Sequence, residues 1–399
     1  MSSHRRFRAA FALLALAGAS LACGSPAIRF GAVLPLTGQH AVYGLSIQKG
    51  VDLAIERALK DPMFAGKLEF TTSDSGSDAQ RASDAVGRIY DAGALAAVGG
   101  VTSGEALAMV EVADNQGRVL LSPSASSPQL TGISTNFFRI FPSDFAEGTV
   151  MARYAFDNLH LKQGVVLAKE ETYAKGIQKV FGDEFQRKGG KILETVEYPE
   201  GTSDFAALCE RVVTLKPDFV YLAAYAEEVS RMIRHLRAQQ FMGLILTTSS
   251  FAAAETISQT GAPAERVYFT QSSFETEGNL PPAVQEFVTA YRARYRGVPD
   301  LYAAHGFDAV NVLLEAYRQG GTTQLSFWKG MRNVRELVGA TGTLQFDEKG
   351  DVAKFPHVYV ITDGKAVDVE GERQRQIEEA RQRMREIEES IRKLQNQGG

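Results

Sequence analysis

The chain has 399 residues, 44% of them hydrophobic and 23% charged, which is too apolar for a disordered polymer and long enough for two bodies of ordinary domain size. The formal net charge is -4 with both signs interspersed, so no basic field exists to hold nucleic acid.

The N-terminus reads as an export signal over residues 1–22. His4, Arg5, Arg6 and Arg8 form a positive head, and the apolar run that follows over 9–19 is too short to span a bilayer. Two processing routes fit what comes next. Ser20-Leu-Ala-Cys-Gly is similar to a bacterial lipoprotein box, which makes Cys23 a lipidated first residue, although Ser20 stands where an aliphatic residue is usual. Ordinary cleavage after Ala22 uses the small Ser20 and Ala22. Cys209, the other of two cysteines, lies in an amphipathic pattern and reads as a small core residue.

From residue 28 short apolar runs alternate with longer amphipathic ones. Strands are expected at 28–34, 68–72, 96–98, 119–122, 165–168, 192–198, 219–223, 244–247 and 267–270. Helix-period stretches separate them at 47–59, 79–90, 106–115, 177–187, 205–215 and 228–239. Parallel strands need such crossovers, so the class is α/β, and the strand count suits two sheets better than one. The chain is expected to pass from the first lobe to the second near Phe141-Pro-Ser-Asp, where Asp144 is placed to cap the next helix. It returns in the Ser-, Gly- and Pro-rich stretch 271–281. After it come a helix at 301–317, strands at 343–346 and 357–361, and a turn at 362–365. The tail 370–399 is different: Ile377, Met384 and Ile391, with Ala380, Ile387 and Leu394, repeat every seven residues. A solvated single helix and a short self-associating coiled coil both fit that pattern.

Enzyme signatures are absent: there is no Gly-x-Ser-x-Gly elbow, no His-Glu-x-x-His pair and no phosphate loop. The six histidines, among them His40, His160, His235, His305 and His357, lack metal-ligand spacing, so no cofactor or metal is implied. Binding signals are better. In Ala96-Ala-Val-Gly-Gly-Val-Thr-Ser-Gly-Glu-Ala a strand runs into a helix whose free amides, with Thr102 or Ser103 as cap, suit either an anion or a plain turn. The hydroxyl-rich Ser122-Pro-Ser-Ala-Ser-Ser-Pro follows the next strand, at the carboxyl end where open α/β sheets hold ligands.

Taken in order, several pieces resemble the periplasmic Leu/Ile/Val-binding family, the type I solute-binding proteins of branched-chain amino acid ABC transporters. They are Gly31-Ala-Val-Leu-Pro-Leu-Thr-Gly with Tyr43-Gly44, Val98-Gly-Gly-Val-Thr-Ser, Ser122-Pro-Ser-Ala-Ser-Ser-Pro and Phe138-Arg-Ile-Phe-Pro-Ser-Asp. Thr172-Tyr-Ala-Lys-Gly, Pro217-Asp-Phe-Val-Tyr, Phe307-Asp-Ala-Val and Gly342-Thr-Leu-Gln-Phe-Asp continue the set. The resemblance implies two Rossmann-like lobes with parallel-rich sheets joined by three hinge crossings. The first lobe is then 28–142 plus about 272–340, and the second 143–271 plus about 341–369. It implies no catalysis, a membrane permease as partner, a periplasmic or envelope location, and a ligand of amino-acid type held by cleft closure.

Carried over by motif, Ser103, Ser124 and Ser126 hold the ligand carboxylate and nearby groups, Tyr173 and Tyr225 meet it from the second lobe, and Tyr43 lines the side-chain pocket. One position departs. Ser250 stands where amino-acid binders of the family carry an acid for the ligand ammonium. Glu227 or Glu228 is a substitute within reach in sequence, and ligands without an ammonium, such as small organic acids or amides, stay open. A sensor of the same fold that signals through the tail is the alternative to a transport receptor, and a hydrolase using the cleft is a third reading.

Overall fold

Apolar runs too short for helices, each bounded by turn residues, become strands, and the longer amphipathic stretches between them become the covering helices. The computed structural model describes residues 27–371 together with Arg373, Arg383 and Met384. The signal segment, Cys23 and nearly all of the heptad tail lie outside the described residues.

In chain order the elements are β1 (Ile28–Leu34), α1 (Ala41–Ala58), β2 (Leu68–Asp74), α2 (Ala79–Asp91), β3 (Ala96–Gly99), α3 (Ser103–Gln116), β4 (Val119–Ser122) and β5 (Phe137–Arg139). Then come α4 (Asp144–Arg153), β6 (Gln163–Lys169), α5 (Thr172–Arg187), β7 (Lys191–Tyr198), α6 (Ala206–Leu215), β8 (Phe219–Ala223), α7 (Ala226–Ala238), β9 (Leu244–Thr247), α8 (Ala254–Thr260) and β10 (Val267–Ser272). The last are α9 (Pro282–Tyr295), α10 (Leu301–Gly320), α11 (Gln324–Asn333), β11 (Leu337–Gly339), β12 (Gly342–Leu344), β13 (Pro356–Thr362) and β14 (Lys365–Asp368).

Two parallel-rich sheets result, one in each lobe. The first runs β2-β1-β3-β4-β5, all parallel. The second runs β14-β13-β10-β9-β8-β6-β7, parallel from β7 to β10, with β13 and β14 added antiparallel at one edge. Central strands such as β4 and β8 are buried along their whole length, as helices on both faces require. The chain leaves the first sheet after β5 and the second after β10, when α10 comes back to pack on α1. That crossing is close enough to need glycine on both helices. A Cβ on Gly50 would meet the Ala303 carbonyl at 1.9 Å, and one on Gly306 would meet the Ile47 carbonyl at 2.2 Å.

Two local expectations change. The helix after the first crossing is capped by Ser143, whose Oγ accepts from the Phe145 amide at 3.3 Å; Asp144 is already its first residue. The strand expected at 343–346 forms at Gly342–Leu344 and pairs only with β11, outside both large sheets. Asp308 on α10 holds this hairpin, accepting from the amides of Ala340 (2.7 Å) and Thr341 (2.8 Å). Local hydrophobicity cannot report a strand whose partner is chosen by a buried carboxylate on a distant helix.

Where the first and last crossings meet, Arg139 is fully buried. It forms two bonds to Asp351 (2.7 and 2.8 Å), one to the Ser127 carbonyl (3.0 Å) and one to Thr131 Oγ1 (2.5 Å). Removing one partner of a buried, hydrogen-bonded ion pair leaves the other charge without compensation. Asp351→Ala should therefore lower unfolding free energy by about 3 to 5 kcal/mol in urea titrations. A loss below about 1 kcal/mol, the range of exposed pairs, would show that this contact does not hold the crossings.

Candidate functional site

Both sheets turn the carboxyl ends of their strands toward one cavity. The strand order reverses between β1 and β3 in the first sheet and between β6 and β8 in the second, and crevices for ligands form at such switch points. The cavity is lined by Tyr43, Val101, Ser103, Ser124, Ala125, Ser126 and Tyr302 from the first lobe, and by Tyr173, Tyr225, Ser249 and Ser250 from the second. All seven ligand-site residues named from the sequence meet there. Ser249 and Tyr302 were not anticipated. Tyr302 lies on α10, whose near-continuous burial makes it look like core, and nothing local marks its hydroxyl as a cleft group.

Each side chain is aimed by its local structure. Ser103 opens α3, whose N-terminus is closed by a capping box: Thr102 Oγ1 accepts from the Glu105 amide while Glu105 reaches back to the Thr102 amide. The loop after β4 is pinned by its own hydroxyls. Ser122 donates to the Gly100 carbonyl and Ser124 to that of Val101, both at 2.8 Å, and the Ser127 amide donates to Ser103 Oγ at 3.2 Å. On the facing lobe, Tyr225 is the N-cap of α7 and Tyr173 lies in the first turn of α5, their rings stacked 5.0 Å apart.

The lobes touch through hydroxyl groups. Tyr43 Oη donates to the Ser250 carbonyl (2.8 Å) and accepts from the Ala226 amide (2.7 Å). Tyr302 donates to the Ser249 carbonyl at 2.9 Å. Gln39 reaches Glu200 at 3.3 Å, and the Ala254 amide reaches Asp300 at 3.3 Å. Gly176 on α5 comes so close to the turn at Pro128 that a Cβ there would lie 2.9 Å from the proline ring. Between these contacts the centre of a water-sized sphere has only about 20 Å³ to move in, about what one or two waters occupy. Anything larger enters only if the lobes part.

Ser250 is engaged inward: its hydroxyl donates to the Ala224 carbonyl at 2.6 Å and lies 2.8 Å from Thr248 Oγ1, which accepts from Tyr173. Neither glutamate named as a substitute lines the cavity. Glu227 pairs with Arg231 on the surface, and Glu228 pairs with buried Lys169 at 3.3 Å. Two further acids lie under the cavity on α4. Glu147 is fully engaged, accepting from the Ser249 amide (2.6 Å), Ser249 Oγ (2.9 Å) and Thr270 Oγ1 (2.7 Å). Asp144 is fully enclosed, and neither of its carboxyl oxygens makes a well-formed hydrogen bond among the described residues, with the Ser126 side chain beside it. Burial, then the Glu147 charge, push its carboxyl well above the usual range. Tyr225 likewise keeps a buried hydroxyl without a well-formed bond, with the Ser103 amide beside it.

A wider groove, about 180 Å³ by the same measure, lies along α2 and the edge strand β2. Its polar residues Arg29, Glu69, Thr71, Ser73 and Arg88 are exposed or half-exposed and all belong to one lobe. Convergent buried polar groups from two lobes are the stronger mark of a binding site, and of these two cavities the cleft has them.

The chain's relatives point the same way. The family described as periplasmic binding protein matches residues 27–363. A Leu/Ile/Val-binding protein homologue of Brucella melitensis is 26% identical, over 86% of this chain and 94% of its own. A leucine-binding protein from Thermotoga maritima superposes with a TM-score of 0.80 at 27% identity, covering 85% of this chain and 97% of that one. A branched-chain amino acid transporter substrate-binding protein from Streptococcus pneumoniae, solved with isoleucine, gives 0.80 at 26% with the same coverage.

At the mouth of the cleft His40 is buried with Nδ1 unpartnered, its ring 4.3 Å from that of Tyr225. Burial, then the nearby Lys169 charge, lower its pKa from 6.5 to about 3. The unfolded chain therefore takes up this proton first. The stability held by neutral His40 is complete above pH 6.5 and is lost as pH falls from 6.5 toward 3. Across that window His40→Gln should remove a slope of about 1.4 kcal/mol per pH unit from the stability profile. Parallel profiles for the two proteins between pH 6 and pH 4 would refute it.

Proposed function

The chain belongs to the periplasmic binding protein family, and from that premise we propose that it is the solute receptor of an ABC transporter, capturing an amino acid of branched-chain type or a related small polar metabolite. The observation that carries this reading is the cleft cavity, at which both lobes present hydroxyl and amide groups from the carboxyl ends of their strands. Ser103, Ser124 and Ser126 at the start of α3 and in the loop after β4 suit the carboxylate, because their backbone and hydroxyl groups line the cavity beside a helix N-terminus. Tyr173 and Tyr225 meet the solute as the second lobe closes, and Tyr43 and Tyr302 bound the space for its side chain. The receptor performs no chemistry. Closed, it docks on a membrane permease, whose ATPase is a separate chain.

The mature receptor is exported and tethered to the envelope through lipid at Cys23. Among the described residues no helix is long and apolar enough to cross a membrane. The specificities for which the relatives are named support the ligand class. One is a leucine-binding protein, and a Pseudomonas aeruginosa relative, 24% identical, is named for binding leucine, isoleucine, valine, threonine and alanine.

Capture is a population shift: solute that contacts both lobes stabilises the closed form by its differential affinity. Refolded protein, stripped of carried-over solute, is the material for the test. At a hundred times its dissociation constant a true ligand should add about 2.7 kcal/mol of stability, read as a rise in Tm across a panel of amino acids, small organic acids and amides. No shift with any of them would defeat the reading. Tyr43→Phe deprives the Ser250 carbonyl and the Ala226 amide of their shared partner, and should weaken the best ligand about tenfold or more with the fold intact. Unchanged affinity in that variant would mean that the hydroxyl bridge does not stabilise the closed form.

A further inference from the structure

His40 stands where the two lobes meet but belongs to one of them. Its amide donates to Ser77 Oγ at 3.0 Å and its carbonyl accepts from the Tyr43 amide at 3.1 Å, so the first lobe holds its backbone at the start of α1. The second lobe covers its ring: the residue is 6% exposed, and the Tyr225 ring lies 4.3 Å away. Beside it Gln39 reaches across to Glu200, which also meets Lys169 at 3.5 Å.

Nothing in the closed seam compensates a proton on this imidazole. Its Nδ1 has no hydrogen-bond partner among the described residues. The cation Lys169, itself buried in the second lobe, repels a second charge there. The Tyr225 ring, whose face would attract a cation, already has Lys169 Nζ 5.9 Å from its centroid. The second-lobe acids are committed: Glu228 and Glu200 to Lys169, Glu171 to the amides that open α5, and Glu227 to Arg231. In the first lobe Asp74 accepts from Thr37, Asp78 caps α2, Glu105 takes Ser75 and Thr102, and the Tyr43 hydroxyl is bonded across the seam. The three first-lobe acids and the start of α1 travel with His40, so they act on it alike in the open and closed forms.

We propose that solute capture expels a proton from His40, so that the receptor holds its solute at neutral pH and releases it in acidic surroundings. The inference rests on the reading of the cleft as a solute site and adds a regulator to it. Opening returns the imidazole to water and to its ordinary value of 6.5; closure takes it out of water and beside Lys169, which lowers that value to about 3. A group whose pKa falls on closure leaves affinity whole above pH 6.5 and erodes it as pH drops toward 3, by at most about tenfold per unit. Burial raises the pKa values of Glu171 and Glu228, so any share of it that closure contributes acts in the opposite sense, and comparison with a His40 variant removes it.

The test is leucine affinity of the mature protein, by calorimetry at pH 7.5 and pH 4.5. The panel compound that binds best takes the place of leucine if leucine itself does not bind. Between the two pH values wild type should weaken about a hundredfold more than His40→Gln does, and the two proteins should bind alike at pH 7.5. At pH 5.5, titrations in buffers of different ionisation enthalpy should show wild type releasing about one more proton per solute than the variant. His40→Asn serves should the glutamine variant fail to fold. Equal pH dependence within threefold, or equal proton release, overturns the linkage and leaves solute capture standing. Wild type that binds no compound of the amino-acid, organic-acid and amide panel at pH 7.5 defeats the reading of the cleft, and this inference falls with it.

Discussion

A guanidinium with no access to water must be neutralised inside the protein, and the architecture of the cleft follows from where this chain does so. Arg139 ends the last strand of the first sheet, and its donors go to Asp351 in the last crossing and to the turn at Ser127–Thr131. The same turn carries the hydroxyl-rich loop that lines the cavity. One buried cation thus fixes the edge of the first sheet, the last crossing between lobes and one wall of the site. Its energetic merit over an apolar core is small, since desolvation consumes most of the Coulombic gain. What it supplies is position: a fork of donors accepts few alternative arrangements.

The facing surfaces are built differently. Beside the cavity their contacts are hydroxyls on carbonyls and amides: Tyr43 on Ser250 and Ala226, Tyr302 on Ser249. Each of these groups finds water when the lobes part, so the net contribution of each bond to closure is modest. A closed state held by such contacts lies within a few kcal/mol of an open one, which is the condition under which a small solute can decide between them. Glu147, by contrast, binds Ser249 and Thr270 from within the second lobe and keeps the floor of the cleft rigid while the walls move.

Much of this was legible in the sequence because it is local. Runs such as Val119–Ser122 and Phe219–Ala223 are strands, since short, mostly apolar runs between turn signals are too short for a helix and suit the buried strands of an α/β chain. The serines after β4 follow a strand end, so sequence position placed them near the cavity, whereas the tyrosines opening α5 and α7 were placed there by the family resemblance. What escaped depends on distant partners. Tyr302 looks like core on a buried helix, and Asp308 selects the pairing of β11 with β12 from the middle of the same helix. Asp144 and Ser143 are both good capping residues side by side, and only the backbone geometry decides which one caps.

That choice between neighbours has consequences for how a solute would be recognised. With Ser143 as cap, Asp144 begins α4 immediately beyond the first crossing, bonded through its amide to Ser126 in the first lobe while its helix packs in the second. Residues at a hinge move least when lobes part. Position 250 swings away with the second lobe as the cleft opens, whereas Asp144 at the hinge keeps its place behind Ser126 in both forms. Closure brings up the second-lobe tyrosines and excludes water, while the hydroxyls of Thr247 and Ser250 tie the ends of β8 and β9 together.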